Sequence, residues 1–166
     1  KVGVKKAREV GLNVTEEDLI KTYKVSDVMD TKAPAIPAGM PLADVIKVFS
    51  STSNSHYSVL DTDRKLVGVV TLAGIRNTFA TQEINTWLVA LDLVEPIVAK
   101  VTPEVRLSQA FEEMGRHGVE CIPVIASREK DEYVGMLEAG TVHRQLSAQV
   151  LDKQHKADSM FALQAG

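Results

Sequence analysis

The sequence predicts an α/β protein made of two copies of one small unit, each a mostly three-stranded sheet with two helices, packed together. Three observations predict it. The stretches "KLVGVVTLAGIRNTF" (65–79) and "EYVGMLEAGTVHRQL" (132–146) share a skeleton: a bulky residue and Val before a glycine, an apolar pair, then a polar residue, Thr71 or Glu138. An apolar residue follows at Ile75 or Val142, before a basic, helix-like segment. The rest of the chain repeats as well. At an offset of 65, Asp27 falls on Asp92, Ile36 on Val101, Leu42 on Leu107, Val45 on Ala110, Ile46 on Phe111, Phe49 on Met114 and Val59 on Val124; two extra residues in the second copy then place Gly68 on Gly135. A fixed-period self-match of this kind marks an internal duplication. Finally, the hydrophobic period changes from helical to strand-like in the same order within each copy.

The elements follow in order. "TEEDL" (15–19) reads as a helix start, with Thr15 as cap and Asp18 three residues on. In "PLADVIKVF" the apolar residues Leu42, Val45, Ile46 and Phe49 fall at i, i+3, i+4 and i+7, and Leu107, Ala110, Phe111 and Met114 repeat that spacing in "RLSQAFEEM". Both are amphipathic helices, so these side chains should be largely buried. Pro41 suits the start of the first, and Gly118 suits the end of the second. Next come two short β-rich runs, "HYSVLD" and "CIPVIA", a polar turn, and "LVGVVT" or "YVGMLE", which together read as strand, hairpin and strand. The two-residue insertion falls in the polar turn, where length changes cost least. "GIRNTF" and "TVHRQLSAQVL" read as the helices closing each unit. The resulting division is residues 1–24 as linker and N-terminal helix, 25–83 as the first repeat, 84–147 as the second and 148–166 as a C-terminal tail. Such a small sheet buries itself poorly alone, and two copies packed together solve the problem.

Composition sets the class. With 166 residues and 45% hydrophobic content the chain can bury one ordinary core, or two small ones sharing an interface. No apolar run approaches the roughly 18 residues of a membrane span; Pro34, Pro37 and Pro41 interrupt the longest uncharged stretch near the start. "KVGVKKAREVGLNV" is basic but lacks the apolar core and cleavage site of a signal peptide. The abrupt start without Met reads as a fragment. A net charge of −3 with mixed signs supplies no basic field for nucleic acid. The single Cys121, in the apolar run "VECIPVI", reads as a packed thiol in a reducing compartment.

Both copies resemble CBS domains, and the pair resembles the tandem module in which two such domains pack sheet to sheet in a pseudo-two-fold arrangement. "VSDVMD", "LADVIKVFSSTSNSHYSVLDTDRKLVGVVT" and "LSQAFEEMGRHGVECIPVIASREKDEYVGML" carry the resemblance, over roughly residues 25 to 147. The segment "KKAREVGLNVTEEDLIKTYKVSDVMD" also resembles the link between the membrane domain and the cytoplasmic CBS pair of prokaryotic ClC-type chloride channels and antiporters. The resemblance implies a regulatory module, not an enzyme: a cytoplasmic part of an inner-membrane transport protein that itself inserts into no membrane, binds no nucleic acid, and forms a homodimer. Other hosts consistent with it are a magnesium transporter or a nucleotide-metabolising enzyme; a dimerisation module without a ligand is the alternative of another class.

The family's ligands are adenine nucleotides or relatives bound in clefts between repeats. Its usual pattern sets a Thr or Ser near phosphate and, three residues on, an Asp that accepts from the ribose hydroxyls. Here Thr71 fills the hydroxyl position of the first copy while Gly74 stands in the Asp position; the second copy has Glu138 and Thr141. AMP, ADP and ATP are therefore expected to bind weakly or not at all. The ligand-side stretch just before the strand reads Asn54, Ser55, His56 and Tyr57, in which Tyr57 could stack on a base and Ser55 could bind an edge or phosphate; the alternative is a solvated loop with Tyr57 packed on the hydrophobic rim. Nucleotide binding created or strengthened by Gly74→Asp would show that the family pattern is read in the correct register.

No catalytic or metal constellation is expected. His56, His117, His143 and His155 are scattered, and "RHGVEC" reads better as a Gly118 helix cap beside a strand Cys than as a metal site. Neither "LAG" nor "EAG" has the spacing of a phosphate loop. Trp87 is expected to pack between the repeats. The apolar stretch "FATQEINTWLVALDLV" and the C-terminal helix offer surface for self-association.

Overall fold

The computed structural model describes residues 14–81 and 87–165, and among them each sequence copy builds its own sheet. Helix α1 (Glu16–Thr22) opens with the predicted capping box: the Asp18 N–H donates to Thr15 Oγ1 at 3.2 Å and the Thr15 N–H to Asp18 Oδ2 at 3.0 Å. The Thr15 N–H bond foremost, and then the Thr15 hydroxyl, which donates to the same Asp18 oxygen at 2.9 Å, hold the Asp18 carboxyl below the usual carboxylate range. Two one-turn helices, α2 (Val25–Val28) and later α5 (Ala90–Leu93), start alike. The Lys24 N–H donates to Asp27 Oδ2 at 2.8 Å and the Val89 N–H to Asp92 Oδ2 at 2.9 Å. The pairing of Asp27 with Asp92 across the repeat is therefore a capping requirement met twice.

The first copy forms a three-stranded sheet. Strand β1 (Ile36–Pro37) runs parallel to β2 (His56–Leu60), which pairs antiparallel with β3 (Leu66–Thr71). Helix α3 (Leu42–Ser51) lies between β1 and β2 in the chain, and α4 (Leu72–Thr81) follows β3. In the second copy α6 (Leu107–His117) precedes the antiparallel pair β4 (Cys121–Ile125) and β5 (Tyr133–Glu138). The third strand expected there is reduced to one parallel bridge, Val101 to Val124, the counterpart of Ile36 to Val59. Val45, Phe49, Ala110 and Met114 are buried, while Ile46 and Phe111 are half-buried at the edges of their stripes. Gly118 ends α6 in the left-handed region at φ 63°, as the expected cap does.

The copies exchange their leading segments, which sequence order does not reveal. Leu19, Val25 and Val28 join Val101, Leu107, Ala110, Ile122, Leu137 and Leu146 in one core, so α1 and α2 complete the second copy. Ala90 and Leu93 of α5 join Leu42, Val45, Phe49, Val59, Val70 and Ile75, completing the first. Backbone bonds fix both exchanges symmetrically. The Asp30 N–H donates to the Met136 carbonyl at 2.9 Å and the Met136 N–H to the Asp30 carbonyl at 3.0 Å; Glu95 and Val69 do the same at 2.8 and 3.3 Å.

This crossing explains the duplicated glycine. A Cβ on Gly68 would lie 2.6 Å from the Val94 Cβ and 3.1 Å from the Glu95 carbonyl, and one on Gly135 would lie 2.8 Å from the Asp30 carbonyl. Only a residue without a side chain lets the exchanged strand pass that close. The sheets themselves meet through Leu60, Leu66, Ile125 and Tyr133, and the hairpins join where Leu66 N–H donates to Asp131 O (3.0 Å) and Tyr133 N–H to Arg64 O (3.3 Å). Burial pushes the Tyr133 phenol up to about 12.

Two expectations change. The region assigned to a tail continues the last helix, α7 (Ala139–Ala165), without a break. Trp87 does not pack between the repeats: it is 84% exposed, because the exchanged contact is made by Ala90 and Leu93 instead. The expected linker at 1–13 and the "QEINT" part of the association surface (82–86) lie outside the described residues. No helix among the described residues is long and apolar enough to cross a membrane.

Candidate functional site

The exchanged segments roof two related clefts. Cleft 1, of about 520 Å³, lies between the end of β3 (Val69, Thr71), the segment 95–99 that follows α5, and the turn from α6 into β4 (His117–Cys121). Cleft 2, of about 500 Å³, lies between the end of β5 and start of α7 (Met136, Glu138, Thr141), the segment 28–34 that follows α2, and the loop entering β2 (Asn54–His56). Each cleft thus contains a strand end, an exchanged segment and a helix-to-strand turn. Ser55, His56, Cys121 and Met136 line both.

Six of the eight expected residues come to these clefts, though split between them. Ser55, His56 and Thr71 line cleft 1; Asn54, Ser55, His56, Glu138 and Thr141 line cleft 2. The Ser55 hydroxyl and His56 Nδ1 are 2.8 Å apart, and Arg144 Nη2 donates to Thr141 Oγ1 at 3.2 Å. Gly74 lines neither cleft, but its N–H donates to Thr71 Oγ1 at 2.8 Å. Tyr57 also lines neither cleft, and its expected role is corrected here. It is 1% exposed, packs edge-on against Phe49 with ring centroids 4.8 Å apart, and bonds Thr52 through its hydroxyl. A side chain so placed is core and cannot stack on a ligand.

The sequence reading missed Glu95 and Asp30, the carboxylates delivered by the exchanged segments. Thr71 Oγ1 donates to Glu95 Oε1 at 3.0 Å, and that oxygen lies 2.8 Å from where a Cβ on Gly74 would stand. A carboxylate therefore already stands beside Gly74, bonded to the Thr71 hydroxyl, and Gly74→Asp would set one carboxylate against another. The signal was present: Asp30 and Glu95 are related by the same offset of 65, each two residues past a one-turn helix. Cys121 is half-buried, and burial first, then the carboxylates of Glu138 and Glu120, push its thiol up to about 12. A thiol held protonated is a poor nucleophile. Among the described residues no group of three or more His, Cys, Asp or Glu could hold a metal ion.

The CBS domain model matches residues 25–80 and 89–147. The chain belongs to the CBS domain family. The two matched spans are the two sequence copies, and the exchanged helices α2 and α5 open them. Several solved structures share this fold. A conserved protein from Pyrococcus horikoshii is 17% identical with a TM-score of 0.65, covering 84% of this chain and 60% of its own. The CBS domain of a CBS domain containing membrane protein from Sphaerobacter thermophilus is 17% identical at 0.65, covering 85% and 96%. CBSX2, solved in complex with AMP, is 20% identical at 0.63, covering 77% and 98%. The chain spans three fifths of the Pyrococcus protein's length. No curated protein matches it.

Proposed function

We propose that this CBS pair is a ligand-sensing regulatory module whose clefts 1 and 2 take adenine nucleotides or related nucleosides, and whose host is a membrane transport protein of the chloride channel or antiporter type. The observation that carries the sensing role is the exchange. Segments 28–34 and 95–99 are cleft walls and also continue from α2 and α5, so an occupant of either cleft touches the segment joining the repeats or the one running back to α1. A ligand that prefers one repeat-to-repeat arrangement then shifts its population, and α1 carries the shift outward. No step of chemistry is required. The AMP complex of CBSX2 and the membrane protein from Sphaerobacter thermophilus support the ligand class and a membrane host; the likeness of residues 5–30 to the ClC link supports the finer assignment.

The carboxylates in both clefts support weak binding of AMP, ADP and ATP. Calorimetric titration of the chain with each nucleotide tests this, with dissociation constants of about 100 µM or weaker expected. Binding tighter than micromolar would refute the expected weakness; no binding of any adenine compound would favour the dimerisation module. The sequence encoded upstream of Lys1 tests the host: several apolar spans of about 20 residues support a transporter, and an enzyme-like pattern removes it.

A further inference from the structure

The N-terminus of α4 is where an anionic ligand group would be held in cleft 1, because the first turn of a helix presents unpaired N–H groups and a positive dipole end. The protein has set its own anion there. Glu95 Oε1 accepts from Thr71 Oγ1 at 3.0 Å, that hydroxyl in turn accepts from the Gly74 N–H at 2.8 Å, and the carboxylate stands over Gly74, the third residue of the ten-residue helix. The opposite wall adds a second carboxylate, Glu120. Among the described residues no Lys or Arg lines the cleft, and His117 lies 3.5 Å from Glu113. A phosphate entering here meets two carboxylates and finds its hydrogen-bond donor already engaged.

We infer that Glu95 is a specificity-determining residue that occupies the phosphate position of cleft 1 in cis, so that the cleft selects nucleosides without phosphate over nucleotides. The inference rests on the ligand-binding reading above and says which members of that class fit. A nucleoside needs no anion slot, so adenosine can enter beside Glu95, and a cationic nucleoside such as S-adenosylmethionine gains from it. AMP must displace Glu95 from Thr71 or bind against it. Two unit charges about 4 Å apart repel by about 1 kcal/mol in water and more where water is partly excluded. Glu95 is exposed, so the low end applies to each unit of charge; a phosphate monoester carries about 1.5 to 2 of them, and a selection of roughly tenfold is expected.

The test is titration of ¹⁵N-labelled wild-type chain and the Glu95→Gln variant with adenosine, S-adenosylmethionine and AMP. Amide shifts of Thr71 and Gly74 report cleft 1, and those of Glu138 and Thr141 report cleft 2. Gln keeps the shape and an acceptor for Thr71 while removing the charge. In the wild type, adenosine should bind cleft 1 about tenfold tighter than AMP. In Glu95→Gln, AMP should gain about tenfold at Thr71 and Gly74, adenosine should move less than threefold, and cleft 2 should be unchanged. AMP binding wild-type cleft 1 as tightly as adenosine, or an AMP affinity indifferent to Glu95→Gln, would overturn the inference and leave the ligand reading standing. No shift in either cleft with any of the three compounds would overturn both.

Discussion

Gly68→Ala isolates the exchange of segments between repeats. The added Cβ would stand 2.6 Å from the Val94 Cβ, 3.1 Å from Val94 Cγ1 and 3.1 Å from the Glu95 carbonyl. Rotating Val94 cannot relieve the first contact, because a Cβ moves only with its backbone. The segment carrying Val94 and Glu95 must therefore retreat by about 1 Å to reach ordinary van der Waals separation. That retreat strains the two backbone bonds between Glu95 and Val69, at 2.8 and 3.3 Å. Overpacking typically costs 1–3 kcal/mol, and weakening the bonds adds about 1 kcal/mol, so a loss of about 2 to 4 kcal/mol is expected. For a domain of this size that lowers the melting midpoint by about 5 to 15 °C. Calorimetric melting should show it, with Gly135→Ala behaving alike because its Cβ would meet the Asp30 carbonyl at 2.8 Å. Gly39→Ala is the control: nothing lies within 4 Å of its Cβ, and it should stay within about 0.5 kcal/mol of wild type. A Gly68→Ala midpoint within 1 °C of wild type would refute the close crossing.

Four further outcomes follow from the same contacts. Phe111→Ala should cost about 2 to 3 kcal/mol in urea unfolding, below the usual range for a core Phe because the ring is half-buried against His143; an unchanged midpoint would remove α6 from the core. Tyr57→Ala should cost about 3 to 5 kcal/mol, whereas a variant of wild-type stability with altered nucleoside affinity would return Tyr57 to the site. Stability should fall above about pH 9: the Cys121 thiol and Tyr133 phenol, both pushed up to about 12, stay protonated when folded but ionise at their lower ordinary values when unfolded. A urea midpoint flat from pH 8 to 11 would contradict that sign. Self-association is expected through the exposed Phe79, Leu91, Leu151 and Phe161, so sedimentation should give twice the monomer mass at micromolar concentration and Phe161→Asp should shift it toward monomer; a monomeric wild type at every concentration would refute the dimer.

What the sequence showed and what it hid divide along the range of the interactions. The helix stripes, the Thr15 cap, the Gly118 cap and the duplicated strand-turn-strand are each decided by residues a few positions apart, so local pattern sufficed. The exchange of α1, α2 and α5 pairs residues such as Asp30 and Met136 across the whole chain, and nothing local distinguishes it from each copy folding on itself. Its trace was the glycine at 68 and 135, legible as a repeat but not as a crossing. Tyr57 was misplaced because Tyr57, Ser58, Val59 and Leu60 are all buried, so alternation along β2 could not say which side chains face the ligand. The helical length of 148–165 was hidden for a similar reason. Leu151, Met160, Phe161 and Leu163 fall all round α7 and form no stripe.

The central claim is that the clefts roofed by exchanged segments are where a ligand is sensed. Hydrogen exchange of the chain with and without millimolar adenosine tests it most directly. The account predicts added protection at 69–74, 95–99 and 117–121 for cleft 1, or at 28–34, 54–56 and 136–141 for cleft 2, and in either case at the backbone bond joining Glu95 to Val69 or Asp30 to Met136. Protection confined to the exposed half of α7, with both exchanged segments unchanged, would contradict it.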